Sequence, residues 1–210
     1  MRMGQTGPSA KDVVNHMSAG DLTSIIRQLG EERQAKRIAS AIVAQRASGS
    51  FSTTLELAEC VEQAVGGRRG KKTHPATLTF QAIRMFVNDE LGELARGLAA
   101  AERLLRVGGR LVVVTFHSLE DRLVKQFMRA RAGLLGGGSR YMPERSKGPD
   151  PTFELPQRKA IDPGEAETSV NPRARSARLR VAVRTDAEVW SDPVETGMRL
   201  PSLSALEAAL

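Results

Sequence analysis

An α/β fold, rich in helix and built on aliphatic side chains, is what these 210 residues predict. Three observations carry that expectation. Apolar residues make up 40% of the chain but aromatics only 4%, so a core has to be assembled from Leu, Val, Ile and Ala, which suits helices with some aliphatic strands better than an all-β sandwich. Helical spacing of apolar residues runs through residues 13–65. The run Leu111-Val112-Val113-Val114-Thr115-Phe116 is apolar at successive positions, the pattern of a strand covered on both faces, as at the centre of a parallel sheet.

The elements follow in order. Residues 1–12, with Gly4, Gly7 and Pro8, read as an irregular lead-in. Leu22, Ile25, Ile26 and Leu29 form one short helical face, interrupted by Gly30. Ala35, Ile38, Ala39, Ile42 and Val43 form the next, with Arg33, Lys36 and Arg37 on its polar side. Thr53 followed by Glu56 is a capping-box pattern that opens a third helix, stopped at Gly66-Gly67. After the basic loop Arg68-Arg69-Gly70-Lys71-Lys72, Pro75 suits the first turn of one long helix. Phe80, Ile83, Val87, Leu91, Leu94, Leu98, Ala101 and Leu105 carry that helix to Gly108-Gly109.

The apolar strand comes next, then a helix with Leu119, Leu123, Val124, Phe127 and Met128 inward. Residues 132–170 are rich in Gly and Pro and read as a long mobile loop with one short strand near Gln157–Ile161. Leu179, Val181 and Val183 then alternate with Arg178, Arg180 and Arg184, a strand with one apolar and one cationic face. Residues 187–210 are a tail with weak helical character. So few strands close a sheet poorly and leave residues 111–116 as a long hydrophobic edge. Either long helices shield that edge in a small α+β domain, or part of the sheet lies outside this chain.

Charge and cysteine usage narrow the function classes. The formal charge is +7, although Asp and Glu still number 24, which describes a folded protein with a cationic side and nucleic acid as its natural partner. The single cysteine, Cys60, lies among apolar residues at helical spacing and reads as a small buried hydrophobe; a reducing, cytoplasmic compartment is expected. No run of apolar residues has membrane-spanning length, so no membrane is expected as partner. His16, His74 and His117 have no metal-ligand spacing, so no metal site is expected.

His117-Ser118-Leu119-Glu120-Asp121 follows the strand at its carboxy end, where open α/β sheets bind ligands. Ser118 and Asp121, three apart, also fit a helix cap, and His117 also fits a packed polar residue.

Four stretches resemble one known family: GEERQAKRIASAIV (30–43), HPATLTFQAIRMFVNDEL (74–91), GGRLVVVTFHSLEDRLVK (108–125) and NPRARSARLR (171–180). In content and order they are similar to the bacterial methyltransferases of the MraW type, which act on the N4 amine of a cytosine in small-subunit (16S) ribosomal RNA. The resemblance covers residues 1–186, and the TFHSLEDR and NPRARS segments are specific to it. It implies a partial Rossmann-like methyltransferase domain with an inserted all-helical domain. Residues 1–12 would then be a lead-in, 13–88 the helical substrate-recognition domain, 89–186 the carboxy-terminal part of the methyltransferase domain and 187–210 a tail.

The resemblance also implies S-adenosylmethionine as cofactor and small-subunit ribosomal RNA or the ribosomal subunit as partner, with a homodimer left open. Family members carry a glycine-rich turn after their first strand; Gly66-Gly67, Gly108-Gly109 and Gly136–Gly138 all stand in other contexts. The expectation is that the cofactor-binding front is not among these residues. A non-enzymatic RNA-binding module and an inactive remnant therefore stay open beside the enzyme.

On the family reading His117, with Ser118 and Asp121, forms a catalytic group, the imidazole bonding the cytosine edge or accepting a proton from the amine. Arg68, Arg69, Lys71 and Lys72 suit phosphate contact, against a plainly solvated loop as the alternative. Arg33, Lys36 and Arg37, with Arg84 and Asn88 four apart on one helix face, would line an RNA-facing groove, against surface ion pairs. Arg173 and Arg175, in a turn set by Asn171 and Pro172, would bind phosphate or buttress the His117 loop.

Overall fold

A computed structural model of the chain describes residues 1–4, 6–68, 70, 73–134 and 149–207. They fall into two units, Met1–Glu90 with Gly197–Leu210, and Leu91–Thr196.

The first unit is helical: α1 (Ala10–His16), α2 (Ala19–Gly30), α3 (Ala35–Ser48), α4 (Thr54–Val65) and α5 (Thr77–Val87), with α9 (Leu203–Glu207) from the tail. Its core is the set of apolar faces legible in the sequence, with Leu22, Ile25, Ile26, Ile38, Ala39, Ile42, Val61 and Ile83 fully enclosed. Thr53 and Glu56 close the capping box of α4, and Gly66 ends that helix with a left-handed φ of 81°. Helix begins earlier than the expected Val13, inside the lead-in at Ala10: Ser9 caps α1 and Asp12 returns the bond to the Ser9 amide. Seven residues are too few for an apolar period to register. Asn15 exchanges two hydrogen bonds with the Phe51 main chain, so a polar side chain ties α1 to the segment before α4.

The single long helix expected over residues 75–105 is two helices. α5 ends at Val87 and α6 (Glu90–Leu104) begins after Asp89, whose φ is 47°. A right-handed helix cannot pass through a left-handed residue, and Asp tolerates that conformation better than most. Apolar spacing continues in phase across the break and conceals it.

The second unit holds α6, β1 (Arg110–Thr115), α7 (Ser118–Arg131), β2 (Phe153–Glu154), α8 (Glu165–Val170), a 3-10 turn (Pro172–Ser176) and β3 (Arg178–Arg184). Strand order is β1-β3-β2, and both neighbours of β3 are antiparallel to it. Among the described residues β1 lies at an edge of the sheet, as the long hydrophobic edge expected at residues 111–116, and its one partner is the antiparallel β3, from Arg110↔Val183 to Thr115↔Arg178. Its two faces differ. Thr115 is buried and Leu111 and Val113 are half-buried, whereas Val112, Val114 and Phe116 remain 53%, 48% and 57% exposed. An unbroken apolar run reports hydrophobicity on both faces, not what covers them.

The strand expected near Gln157–Ile161 is also displaced. Pairing occurs at Phe153–Glu154, and Ile161 makes only an isolated bridge to Leu179. Residues 135–148 of the expected loop lie outside the described residues.

The face of β3 carrying Arg180, Ala182 and Arg184 is the more deeply buried, with Ala182 at 0% and Arg184 at 8% exposure. Burying a guanidinium requires that its donors be met. Arg184 does this with main-chain oxygens of Glu102, Thr152, Thr185 and Ala187. Beside it Glu102, 1% exposed, accepts from Arg131 Nε at 3.0 Å and from the Thr152 hydroxyl at 2.6 Å. Arg131 is held further by the Asp192 carbonyl and lies 4.5 Å from the Trp190 ring centroid. A polar cluster with every charge answered thus sits beside the apolar contact of Phe127 with Phe153.

Candidate functional site

β1 runs into α7 through Phe116 and His117, and this junction borders a cleft of the sheet unit. His117 is extended (φ −137°, ψ 162°) and is itself the cap residue. The cap pair is therefore His117 with Glu120, one position before the Ser118–Asp121 pair that the sequence suggested. An imidazole Nδ1 accepts a hydrogen bond as a hydroxyl does, and it takes the Glu120 amide at 3.4 Å. Glu120 Oε2 returns the bond to the His117 amide and accepts the Phe116 amide at 2.9 Å.

His117 Nε2 is buried without a hydrogen bond. It lies 3.1 Å from Glu120 Oε1, close enough for charge attraction when the ring is protonated but not aligned for a hydrogen bond. Burial pushes the Glu120 carboxyl up, yet the His117 ring and the Phe116 amide outweigh that effect and hold its pKa below the ordinary carboxylate value.

Asp121 is spoken for. Both carboxylate oxygens receive the fork of Arg180, at 2.7 and 3.0 Å, in a half-buried pair linking α7 to β3. Ser118 is exposed. Together with Phe116, His117 and Asp121 it lines a cleft of about 480 Å³, to which α7 also contributes Arg122 and Lys125. The opposite wall comes from Ser176 and Arg178. Arg173 and Arg175 are exposed in the adjoining 3-10 turn, whose first amide is capped by Asn171 Oδ1.

In the helical unit Arg33, Lys36 and Arg37 are exposed together where α3 begins, and Arg68 is exposed after α4. Arg69, Lys71 and Lys72 lie outside the described residues. Arg84 and Asn88 do meet, through Asn88 Nδ2 to the Arg84 carbonyl at 2.8 Å, but both are occupied by the chain itself. Arg84 forks onto Glu90 at 2.7 and 2.9 Å, and Asn88 bonds the main chain of Met1 and Met3.

Sequence reasoning missed Arg122, Lys125, Arg178 and the Asp121 partner Arg180. A signal existed for the first two: positions 118, 121, 122 and 125 share one helix face. For Arg178 and Arg180 it lay only in the pairing of β3 with β1, which no local pattern reveals.

Antiparallel strands packed with helices, with a cleft at the carboxy end of β1, define a mixed helix-and-sheet protein. Residues 1–185 match the MraW methylase family, and the chain belongs to that family. Among its relatives is the ribosomal RNA small subunit methyltransferase H of Hyphomonas neptunium, 63% identical over 99% of this chain and 60% of the relative. The protein of that name from Caulobacter vibrioides is 60% identical over 90% of the chain and 61% of the relative. That from Maricaulis maris is 54% identical over 100% and 63%. The chain thus spans about 60% of the length of the curated relatives it matches.

Proposed function

We propose that this chain belongs to a S-adenosylmethionine-dependent enzyme that methylates the N4 amine of a cytosine in small-subunit ribosomal RNA. The observation that carries the reading is the family match over residues 1–185, joined by relatives bearing a ribosomal RNA methyltransferase name. The whole protein would be Rossmann-like, with residues 13–88 an inserted substrate-recognition domain and 89–186 the carboxy-terminal part of the methyltransferase domain. Its place of action would be the cytoplasm, where ribosomal subunits are made.

The junction from β1 into α7 does not fit a glycine-rich grip on the cofactor. It has no glycine, its opening is closed by the His117–Glu120 cap, and Glu120 and Asp121 stand in the first turn. A nucleotide cofactor needs close main-chain approach there, so no step of transfer is routed through these residues. What they supply is docking and orientation. An amine that attacks a methyl carbon must be held near it with its lone pair freed from the ring, and the base must be unpaired or extruded.

Ser118 offers a hydroxyl, and His117, with Nδ1 accepting the Glu120 amide and Nε2 buried, acts as a positioning residue that fixes the start of α7. Asp121, with both oxygens taken by Arg180, acts as a positioning residue that fixes α7 against β3. Arg33, Lys36, Arg37 and Arg68 on the helical unit, and Arg173 and Arg175 on the sheet unit, would meet phosphates.

Mass spectrometry of nucleosides from 16S ribosomal RNA tests the reading, in cells with the gene for this protein deleted and then restored. One cytosine should lose and regain a methyl group on N4. An unchanged methylation profile, or loss of a methyl from another base, would overturn it.

A further inference from the structure

We infer that residues 187–207 are a strap, a length of chain fastened to each unit in turn, with the Gln28 carboxamide as its clasp on the helical unit. The family match ends at residue 185, so this stretch lies outside what membership describes.

The first station of the strap is on the sheet unit. The Trp190 indole N–H donates to the Asp150 carbonyl at 2.8 Å, and the ring centroid lies 4.5 Å from the guanidinium carbon of Arg131. Arg131 also donates to the Asp192 carbonyl at 2.9 Å.

The second station is on the helical unit, from Gly197 onward. Gln28, on α2, bonds both main-chain groups of Arg199: its Nε2 donates to the carbonyl at 2.6 Å, and its Oε1 accepts the amide at 3.0 Å. Ser24, one turn earlier on the same helix face, donates to that carbonyl at 3.1 Å and accepts from Gln28 at 2.7 Å. A carboxamide presents the donor and the acceptor of a peptide group, so it pairs with main chain as a neighbouring strand would. The Arg199 side chain is exposed, so the fastening does not use its charge. Apolar anchorage follows: Leu200 and Leu203 are half-buried, and Leu206 in α9 is 5% exposed. The strap ends beside the lead-in, where Arg2 Nη2 and Glu207 Oε1 lie 2.5 and 2.9 Å from the place a Cβ on Gly7 would occupy.

Two further carboxamides of the helical unit hold main chain in the same manner, Asn15 at Phe51 and Asn88 at Met1 and Met3. The clasp at Gln28 is thus a device this unit repeats. The chain passes between the units at Glu90–Leu91 and again at Thr196–Gly197. With both stations made, the second passage is a tie and not a loose end.

Trypsin tests the clasp on the full chain. Arg199 is the last cationic residue of the sequence, so a cut after it releases residues 200–210 as one peptide, whose initial rate of appearance mass spectrometry records. The protease needs the main chain free, and the exposed side chain is no obstacle to it. Release should be at least about tenfold slower than from a synthetic peptide of residues 194–210. Gln28→Ala should speed it several-fold. Gln28→Glu keeps the acceptor for the Arg199 amide but sets a carboxylate against the carbonyl, and should fall between. Leu206→Ser should also speed release, and because it lies in the tail its effect stands even where a change at Gln28 unsettles α2. In every variant the Trp190 indole proton should keep its chemical shift, since its station is separate.

Release from the unaltered chain at the rate of the free peptide would overturn the strap. So would slow release that Gln28→Ala leaves unchanged, or a Trp190 signal that moves with the changes at Gln28.

Discussion

Glu102 gives up almost all its hydration inside the sheet unit, and three donors replace the water: Arg131 Nε, the Thr152 hydroxyl and, through its own main-chain oxygen, Arg184. Glu102→Ala should cost about 3–5 kcal/mol in urea unfolding, because Arg131 would remain buried without its countercharge. Glu93→Ala is the contrast, since its pair with Arg96 is 70% and 59% exposed. That change should stay within about 0.5 kcal/mol.

Glu120 carries a pH prediction. Its folded-state pKa is lowered from the ordinary 4.5, so on acidification the unfolded chain takes up the proton first. The carboxylate therefore stabilises the fold fully above the ordinary value, and this contribution is lost as pH falls through the lowered one. A carbon-detected titration of the Glu120 carboxyl should place its midpoint below 4.5; a midpoint at or above it would contradict the cap geometry. None of the Glu102 cluster was legible in the sequence. Its members are drawn from α6, α7, the segment before β2 and β3, and burial of opposite charges leaves no periodic trace.

Between elements, α2 and α5 approach closely at Gly30. A Cβ on Gly30 would stand 2.7 Å from the Leu78 carbonyl oxygen and 3.3 Å from Ala82 Cβ, and neither can swing away. Alanine is the better helix former by about 1 kcal/mol, yet Gly30→Ala should lower stability by about 1–3 kcal/mol as the helices are forced apart. Thermal melts of the two proteins would check the sign. The sequence showed an interruption at Gly30 without its cause, because close packing against another helix is a tertiary fact.

Where the signal was local it was readable, as with Thr53, Glu56 and Gly66 around α4. Where it depended on backbone sign it was not: Asp89 turns left-handed inside an unbroken apolar period. The cap at His117 fell between these cases. The Glu three residues on was visible, but imidazole is an uncommon cap and the Ser–Asp pair one place later matched the usual pattern.

At the scale of the molecule, the charge of +7 divides into cations turned inward and cations left outside. Arg131, Arg180 and Arg184 are consumed internally, and Arg84 is paired with Glu90. Arg33, Lys36 and Arg37 form an exposed group. Their joint replacement by Gln should weaken RNA binding evenly across sequences and flatten its salt dependence by about two in log–log slope. A preference for particular bases that changes instead would show that they read sequence. The basic character of the chain was thus legible from composition, but which arginines are exposed was not, since buried and exposed guanidinium groups look alike in a string of letters.

The outer margin of β1 has a practical side as well. After Arg110 the strand carries no charge, no proline and no bulge, and Val112 and Val114 are open on one face. Such a margin adheres to others like it, so concentrated solutions of this chain should cloud as filamentous or amorphous solid forms. One lysine at Val112 would give like strands a reason to repel, and light scattering over days of storage would record the gain in clarity.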